Sequence, residues 1–300
     1  MPNKHVSFHI GVHAYDPTVY QAKDLLSASD DARAMYNLAD RLGFTPLDLK
    51  PRGQWDGTQP KTPPNVKIDQ AAKYDDVVKL FNDAAALLKD EGDRCFITFS
   101  GHGTQFEKDL PTNGDGKFNE AVCVFDFPLI DDVIVGLLGA FNKGVDVFLM
   151  LDCCHAGPTS DKKVGHLLEG NKVALLPLGA PPKQSSKFGI PKVAPKPTAP
   201  PPLRATQLFA EFKGFDRSTL TANVAAFLAC RDTENTFDGK NPGDLSIFTR
   251  KFLDAVGDGT KSIRAVGQAV ELPDPAITVC HPRFQHSEDE TFLDRLMKKS

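Results

Sequence analysis

The chain has 300 residues, 41% hydrophobic and 25% charged, with a formal net charge of -4. That length allows a large core in one big α/β domain or in two domains, and the mildly acidic balance leaves no basic footprint for a nucleic-acid partner. No apolar run approaches the roughly 20 residues of a membrane span, and the polar-broken opening Met-Pro-Asn-Lys-His-Val-Ser lacks a secretory core, so a cytoplasmic protein with no membrane partner is expected.

Residues 6–12 read as a first strand. Ser29-Asp30-Asp31 opens a helix, Ala32, Met35, Leu38, Ala39 and Leu42 recur at helical spacing, and Gly43 ends it. A short strand is expected at 45–49, a loop over 51–73, a helix over 74–89 and a buried strand over 94–100. Residues 106–120 are polar and turn-like, with Asn113-Gly114-Asp115-Gly116 as a strong turn signal. Strands at 121–127 and 145–151 flank a helix that starts at Asp131-Asp132. Composition then changes: residues 171–210 contain no Asp or Glu, many prolines, and Lys172, Lys183, Lys187, Lys192, Lys196 and Arg204. Such a stretch cannot build a core and is expected to be a mobile basic linker. A strand at 223–230, helices at 244–256 and 263–270, and a last strand at 277–280 follow. The alternation argues for a mainly parallel, three-layered α/β domain, its central sheet flanked by helices. The expected division is 1–170, a linker or insert at 171–215, and 216–300 completing the same domain.

Two motifs end apolar runs: Ser100-Gly101-His102-Gly103 and Asp152-Cys153-Cys154-His155-Ala156-Gly157. Reactive residues of open α/β sheets collect beyond the carboxyl ends of parallel strands. Neighbouring strands would bring a histidine beside a cysteine, the minimal apparatus for thiolate attack on a carbonyl. The blander alternatives are a tight turn with an incidental histidine and a pair of core cysteines. A zinc site is a third, but adjacent cysteines suit tetrahedral ligation poorly. The six cysteines are not spaced as a disulfide scaffold, so reduced thiols are expected.

Together the motifs resemble those of type I metacaspases, the caspase-like cysteine peptidases. Asp30-Asp31-Ala32, residues 118–127 and Ala229-Cys230-Arg231-Asp232 resemble further family segments in the same order. The resemblance implies a caspase-like fold and an endopeptidase dyad of His102 and Cys154, the second cysteine being the nucleophile. It implies an oxyanion hole from the backbone N–H groups of Gly103 and Cys154, and an S1 pocket from Asp31, Ser100 and Asp152. Two carboxylates in a cleft favour a basic side chain, so cleavage after Arg or Lys is expected. Read alone, Asp31 is equally a helix N-cap and Asp152 a polar strand end.

The resemblance also implies a Ca²⁺ site of Asp131, Asp132, Asp161 and Asn119, with oxygen donors that suit the ion. Asn119 stands where the family carries aspartate, which removes a charge. Asp131-Asp132 alone is equally a helix start. Ala156 replaces the family's serine, and residues 232–236 match only loosely. The family works as a monomer on protein or peptide substrates. A segment within 171–210 is expected to be cut by the enzyme itself, on composition alone. The rivals are a non-catalytic regulator or scaffold, a zymogen with another P1 preference, and a zinc-binding module.

Overall fold

The computed structural model describes residues 2–47, 65–107, 118–154, 192, 203–212, 220–230, 236–272, 282–287, 290–295 and 297. Its centre is a sheet built from β1 (His5–Gly11), β2 (Thr45–Pro46), β3 (Val66–Ile68), β4 (Arg94–Ser100), β8 (Asp146–Asp152), β9 (Asn223–Leu228) and β10 (Arg283–His286). The order is β10-β9-β8-β4-β1-β2, with β3 also paired to β1. All pairings are parallel except that of β10 with β9. A second, antiparallel sheet joins β5 (Gly103–Glu107), β6 (Phe118–Cys123) and β7 (Pro128–Ile130).

Side chains alternate across the central strands, and each face builds its own core. On β8, Val147, Leu149 and Leu151 face one cluster, while Phe148 and Met150 face the other. The first cluster is covered by α2 (Tyr74–Leu87), α3 (Asp131–Leu138) and α4 (Leu203–Phe212). The second is covered by α1 (Ala28–Arg41), α5 (Ile247–Val256), α6 (Ile263–Glu271) and the 3₁₀ turn Glu290–Asp294. This is the three-layer α/β arrangement the alternation predicts.

Several expectations shift. Of the strand expected at 45–49, Thr45–Pro46 is observed and residues 48–49 lie outside the described residues, and Val66–Ile68, expected in a loop, pairs in parallel with β1. The strand expected at 121–127 is observed over Phe118–Cys123, paired on both edges. The expected strand at 277–280 lies outside the described residues, and β10 follows it. The basic segment is not wholly a linker. Residues 203–212 form α4, because Ala205 and Leu208 bury against the first core, and Lys192 is fully buried.

One buried residue gives the fold a pH dependence. His9 in mid-β1 is fully buried, with Nδ1 2.9 Å from Thr98 Oγ1 and its ring edge-on to Phe96. Burial lowers its pKa to about 3. The unfolded chain takes up this proton near pH 6.5 and the folded chain does not. His9's share of the stability is therefore intact above about pH 6.5 and falls by about 1.4 kcal/mol per pH unit below it. Urea titrations at about pH 7 and pH 5 are expected to show the loss, with His9→Gln reducing it by about 2 kcal/mol. Equal pH dependence in both proteins would contradict the assignment.

Candidate active site

Three parallel strands bring the site together. Gly11 pairs with Ser100, and Ser100 pairs with Asp152. The loop after β1, the His102 motif and the Cys154 motif therefore emerge side by side at the carboxyl edge of the sheet, where such folds bind ligands. Gly103 has a steric reason to be glycine: a Cβ there would lie 1.8 Å from the Cys154 carbonyl oxygen.

Lys192 occupies the centre of this edge, with every polar group of the residue engaged. Its carbonyl oxygen accepts from Gly103 N at 3.0 Å and from Cys154 N at 3.1 Å, and its own N–H donates to Thr236 O at 3.1 Å. Its ammonium lies 3.2 Å from Asp31 Oδ2, 3.2 Å from Asp152 Oδ1 and 2.7 Å from Ser100 Oγ. The structure thus gathers Asp31, Ser100, Asp152, Gly103 and Cys154 around one lysine. Burial on its own would lower the ammonium's pKa. Asp152, Asp31 and Asp238 outweigh it and hold the group charged, above the ordinary lysine value.

Both carboxylates are buried and held by further donors. Asp31 accepts from Ser100 Oγ at 2.7 Å, Ser27 Oγ at 3.2 Å and Ser246 N at 2.9 Å. It sits in the first turn of α1 and Ser27 takes the cap position, so Asp31 is not the cap that its sequence position allows. Burial raises its pKa, Lys192 opposes that shift, and Asp152 adds to it. Asp152 accepts from Thr249 Oγ1 at 2.8 Å and from Ser246 Oγ. Asp238 accepts from Leu26 N, Ser27 N and Ser27 Oγ, tying the 236–246 segment to the start of α1.

His102 and Cys154 are both buried. His102 Nε2 is 2.7 Å from Lys23 O, which makes Nε2 the protonated nitrogen. Nδ1 makes no hydrogen bond, and the Lys192 ammonium works against protonation of the ring while the Lys192 backbone weakly favours it. Burial lowers the ring's pKa to about 4, so the imidazole is neutral near pH 7. Burial likewise pushes the Cys154 thiol well up, with Cys230 adding to the effect. The thiol donates to Thr236 O at 3.6 Å. With Lys192 seated, both groups are neutral. Once proton transfer to Nδ1 frees the sulfur, this arrangement can deliver it to a carbonyl already polarised by two N–H groups.

The other predicted positions fall elsewhere. Asp131 and Asp132 head α3, with Asp132 N donating to Asp131 Oδ1 at 2.9 Å. The β6–β7 register sets Ala121 opposite Ile130, the residue before Asp131. Asp161 lies outside the described residues. Among those described, no group of three or more His, Cys, Asp or Glu is arranged to hold a metal. The five described cysteines are free thiols. Thr236, Asp238, Ser246 and Thr249 were not singled out by the sequence. Ser246-Ile-Phe-Thr249 reads locally as an ordinary helix cap, a role Ser246 also fills.

The Caspase domain family model matches residues 5–272, and the chain belongs to that family. Metacaspase-6 of Arabidopsis thaliana is 27% identical over 151 residues, 50% of this chain and 38% of that protein. Metacaspase-2 of Trypanosoma brucei brucei is 30% identical over 115 residues, 36% of this chain and 31% of that protein. The chain thus aligns with about a third of the length of these curated relatives. A crystal structure of protein GSU0716 from Geobacter sulfurreducens superposes with a TM-score of 0.65 at 23% identity, covering 97% of both chains. That likeness concerns the fold. Among the described residues no helix is long and apolar enough to cross a membrane.

Proposed function

We propose that the protein is a cysteine endopeptidase that cleaves after lysine or arginine and first cleaves itself. The observation that carries this reading is the seat of Lys192. Its ammonium sits between two buried carboxylates while its carbonyl rests on the N–H groups of Gly103 and Cys154. A P1 residue in a caspase-like site has to do both. On this reading the bond ready to react is Lys192–Val193, the autoprocessing bond.

Cys154 Sγ gives its proton to His102 Nδ1 and bonds to the Lys192 carbonyl carbon. The oxyanion is held by Gly103 N and Cys154 N. His102 then protonates the nitrogen of Val193, the C–N bond breaks, and a thioester remains. Water, deprotonated by His102, hydrolyses it and restores the thiol. Lys23 O keeps the ring in the tautomer that leaves Nδ1 free to act as the base. The low basicity of the buried imidazole makes it a ready acid toward the leaving amine.

Calcium belongs to the same proposal. Asp131, Asp132, Asn119 and Asp161 would hold it; the set is all oxygen, which fits a hard cation. The ion would neutralise carboxylates at the head of α3. Substrates are proteins or peptides, and the enzyme acts as a cytoplasmic monomer.

Peptides with a coumarin leaving group after Lys or Arg test the reading. Turnover is expected in calcium and reductant, but not with Asp at P1, not by Cys154→Ala, and only weakly in EGTA. Wild type silent toward all three peptides, or an active Cys154→Ala, would overturn the peptidase reading. Equal turnover in EGTA would overturn the calcium part alone.

A further inference from the structure

We infer that Tyr15 is a positioning residue for the reaction: its hydroxyl fixes the Gly101–His102 peptide, from which the His102 side chain and the chain to Gly103 extend. The inference rests on the peptidase reading.

Tyr15 is nearly fully buried in the loop after β1. Its hydroxyl donates to Val12 O at 2.9 Å and accepts from His102 N at 2.6 Å. One oxygen thereby bridges the end of β1 to the residue two beyond β4. The ring also lies tilted against the His102 ring, with centroids 5.1 Å apart. The same loop supplies Lys23 O to His102 Nε2. His102 is therefore held by one segment at three points: its N–H, its ring face and one ring nitrogen.

The first glycine of Ser-Gly-His-Gly fits this arrangement. A Cβ on Gly101 would lie 2.9 Å from the Tyr15 hydroxyl and 2.7 Å from Phe99 Cζ. Gly101 therefore leaves room for the phenol to reach the chain beyond it, as Gly103 leaves room for the Cys154 carbonyl. The two glycines serve two different close approaches.

The consequence for catalysis is geometric. Gly103 N must meet an oxyanion and His102 Nδ1 must meet a thiol proton, and both extend from the Gly101–His102 peptide that Tyr15 holds; the next peptide is held separately, by Cys123 N donating to His102 O at 2.8 Å. Removing the hydroxyl leaves His102 N and Val12 O without this partner in a buried setting, and the peptide is free to shift. Displacements well under 1 Å in such groups cost rate more than affinity. The P1 side chain is bound by Asp31, Ser100 and Asp152, which Tyr15 does not touch.

Tyr15→Phe keeps the ring and deletes the bridge. Measured on self-cleaved protein with a P1-Lys peptide, kcat is expected to fall on the order of ten-fold, with KM within about two-fold. The inhibition constant of a lysyl aldehyde, whose hemithioacetal oxygen occupies the Gly103 and Cys154 N–H pair, is expected to rise by a similar factor. Tyr20→Phe, which alters the neighbouring ring 5.3 Å away, is expected to leave both unchanged. Should Tyr15→Phe fail to fold, fluorotyrosine placed at position 15, a weaker acceptor of the same shape, carries the same test with a smaller drop. Unchanged kcat in a folded variant, or equal losses in kcat and 1/KM, would overturn the inference. A wild type inactive on the same peptide would instead overturn the peptidase reading beneath it.

Discussion

Incubated with calcium and reductant, the full chain is expected to split into fragments 1–192 and 193–300, read by intact mass. Because Lys192 is part of the chain it occupies, the first cut is intramolecular, and its rate should not change over a ten-fold range of protein concentration. Cys154→Ala and Lys192→Ala should stay whole at this bond. Lys192→Arg should still be cut, since a guanidinium keeps the charge that Asp31 and Asp152 enclose. Lys192→Ala should also hydrolyse added peptide with no lag, because nothing competes for the pocket. The prediction fails if cleavage follows another linker lysine, such as Lys183 or Lys196, while the bond after Lys192 survives.

Asp152→Asn is expected to show the second large effect. The ammonium would keep Asp31 at 3.2 Å, so what is lost is one charged hydrogen-bond partner, about 1.5–3 kcal/mol. At about 1.4 kcal/mol per decade, that is a loss of about 10–10² in kcat/KM toward P1-Lys peptides. A P1-norleucine peptide, similar in shape but uncharged, should lose little, so the ratio between the two measures the pocket's charge recognition. Asn can still accept from Ser246 and Thr249, whose hydroxyls bond Asp152, which keeps the α5 start in place. An equal loss on both peptides would mean that the substitution disturbs the site generally, and the charge argument would fall.

Much of this was legible from local pattern. Strands 94–100 and 145–151 announce themselves as largely apolar runs, and their motifs lie where the runs stop, so the carboxyl edge of the sheet could be named in advance. What stayed hidden depends on long-range contact. Ser246 and Thr249 look like an ordinary cap and first turn, yet they bond a carboxylate more than 90 residues away. Tyr15 is one aromatic in a polar loop until β1 and β4 pair. Lys192 was one of several basic residues in an acid-free stretch. Composition marked the stretch as cleavable, but only the fold distinguishes this lysine from its neighbours. The helix over 203–212 was missed because prolines before it suggested a linker, whereas burial of Ala205 and Leu208 against the core outweighs that signal.

The position of Lys192 between β8 and β9 has a consequence for the protein after cutting. Those strands are hydrogen-bonded neighbours in mid-sheet, paired from Asp146 with Asn223 to Leu151 with Leu228. A cut after Lys192 would therefore yield two polypeptides that share one continuous sheet. His102, Cys154, Asp31 and Asp152 travel with the first piece. Thr236, Asp238, Ser246 and Thr249 travel with the second. Unfolding, a one-molecule event in the intact chain, would become a dissociation, and the melting temperature of the cut form would acquire a dependence on concentration. Dilution would thus become an off-switch for the cut form that the intact chain does not have.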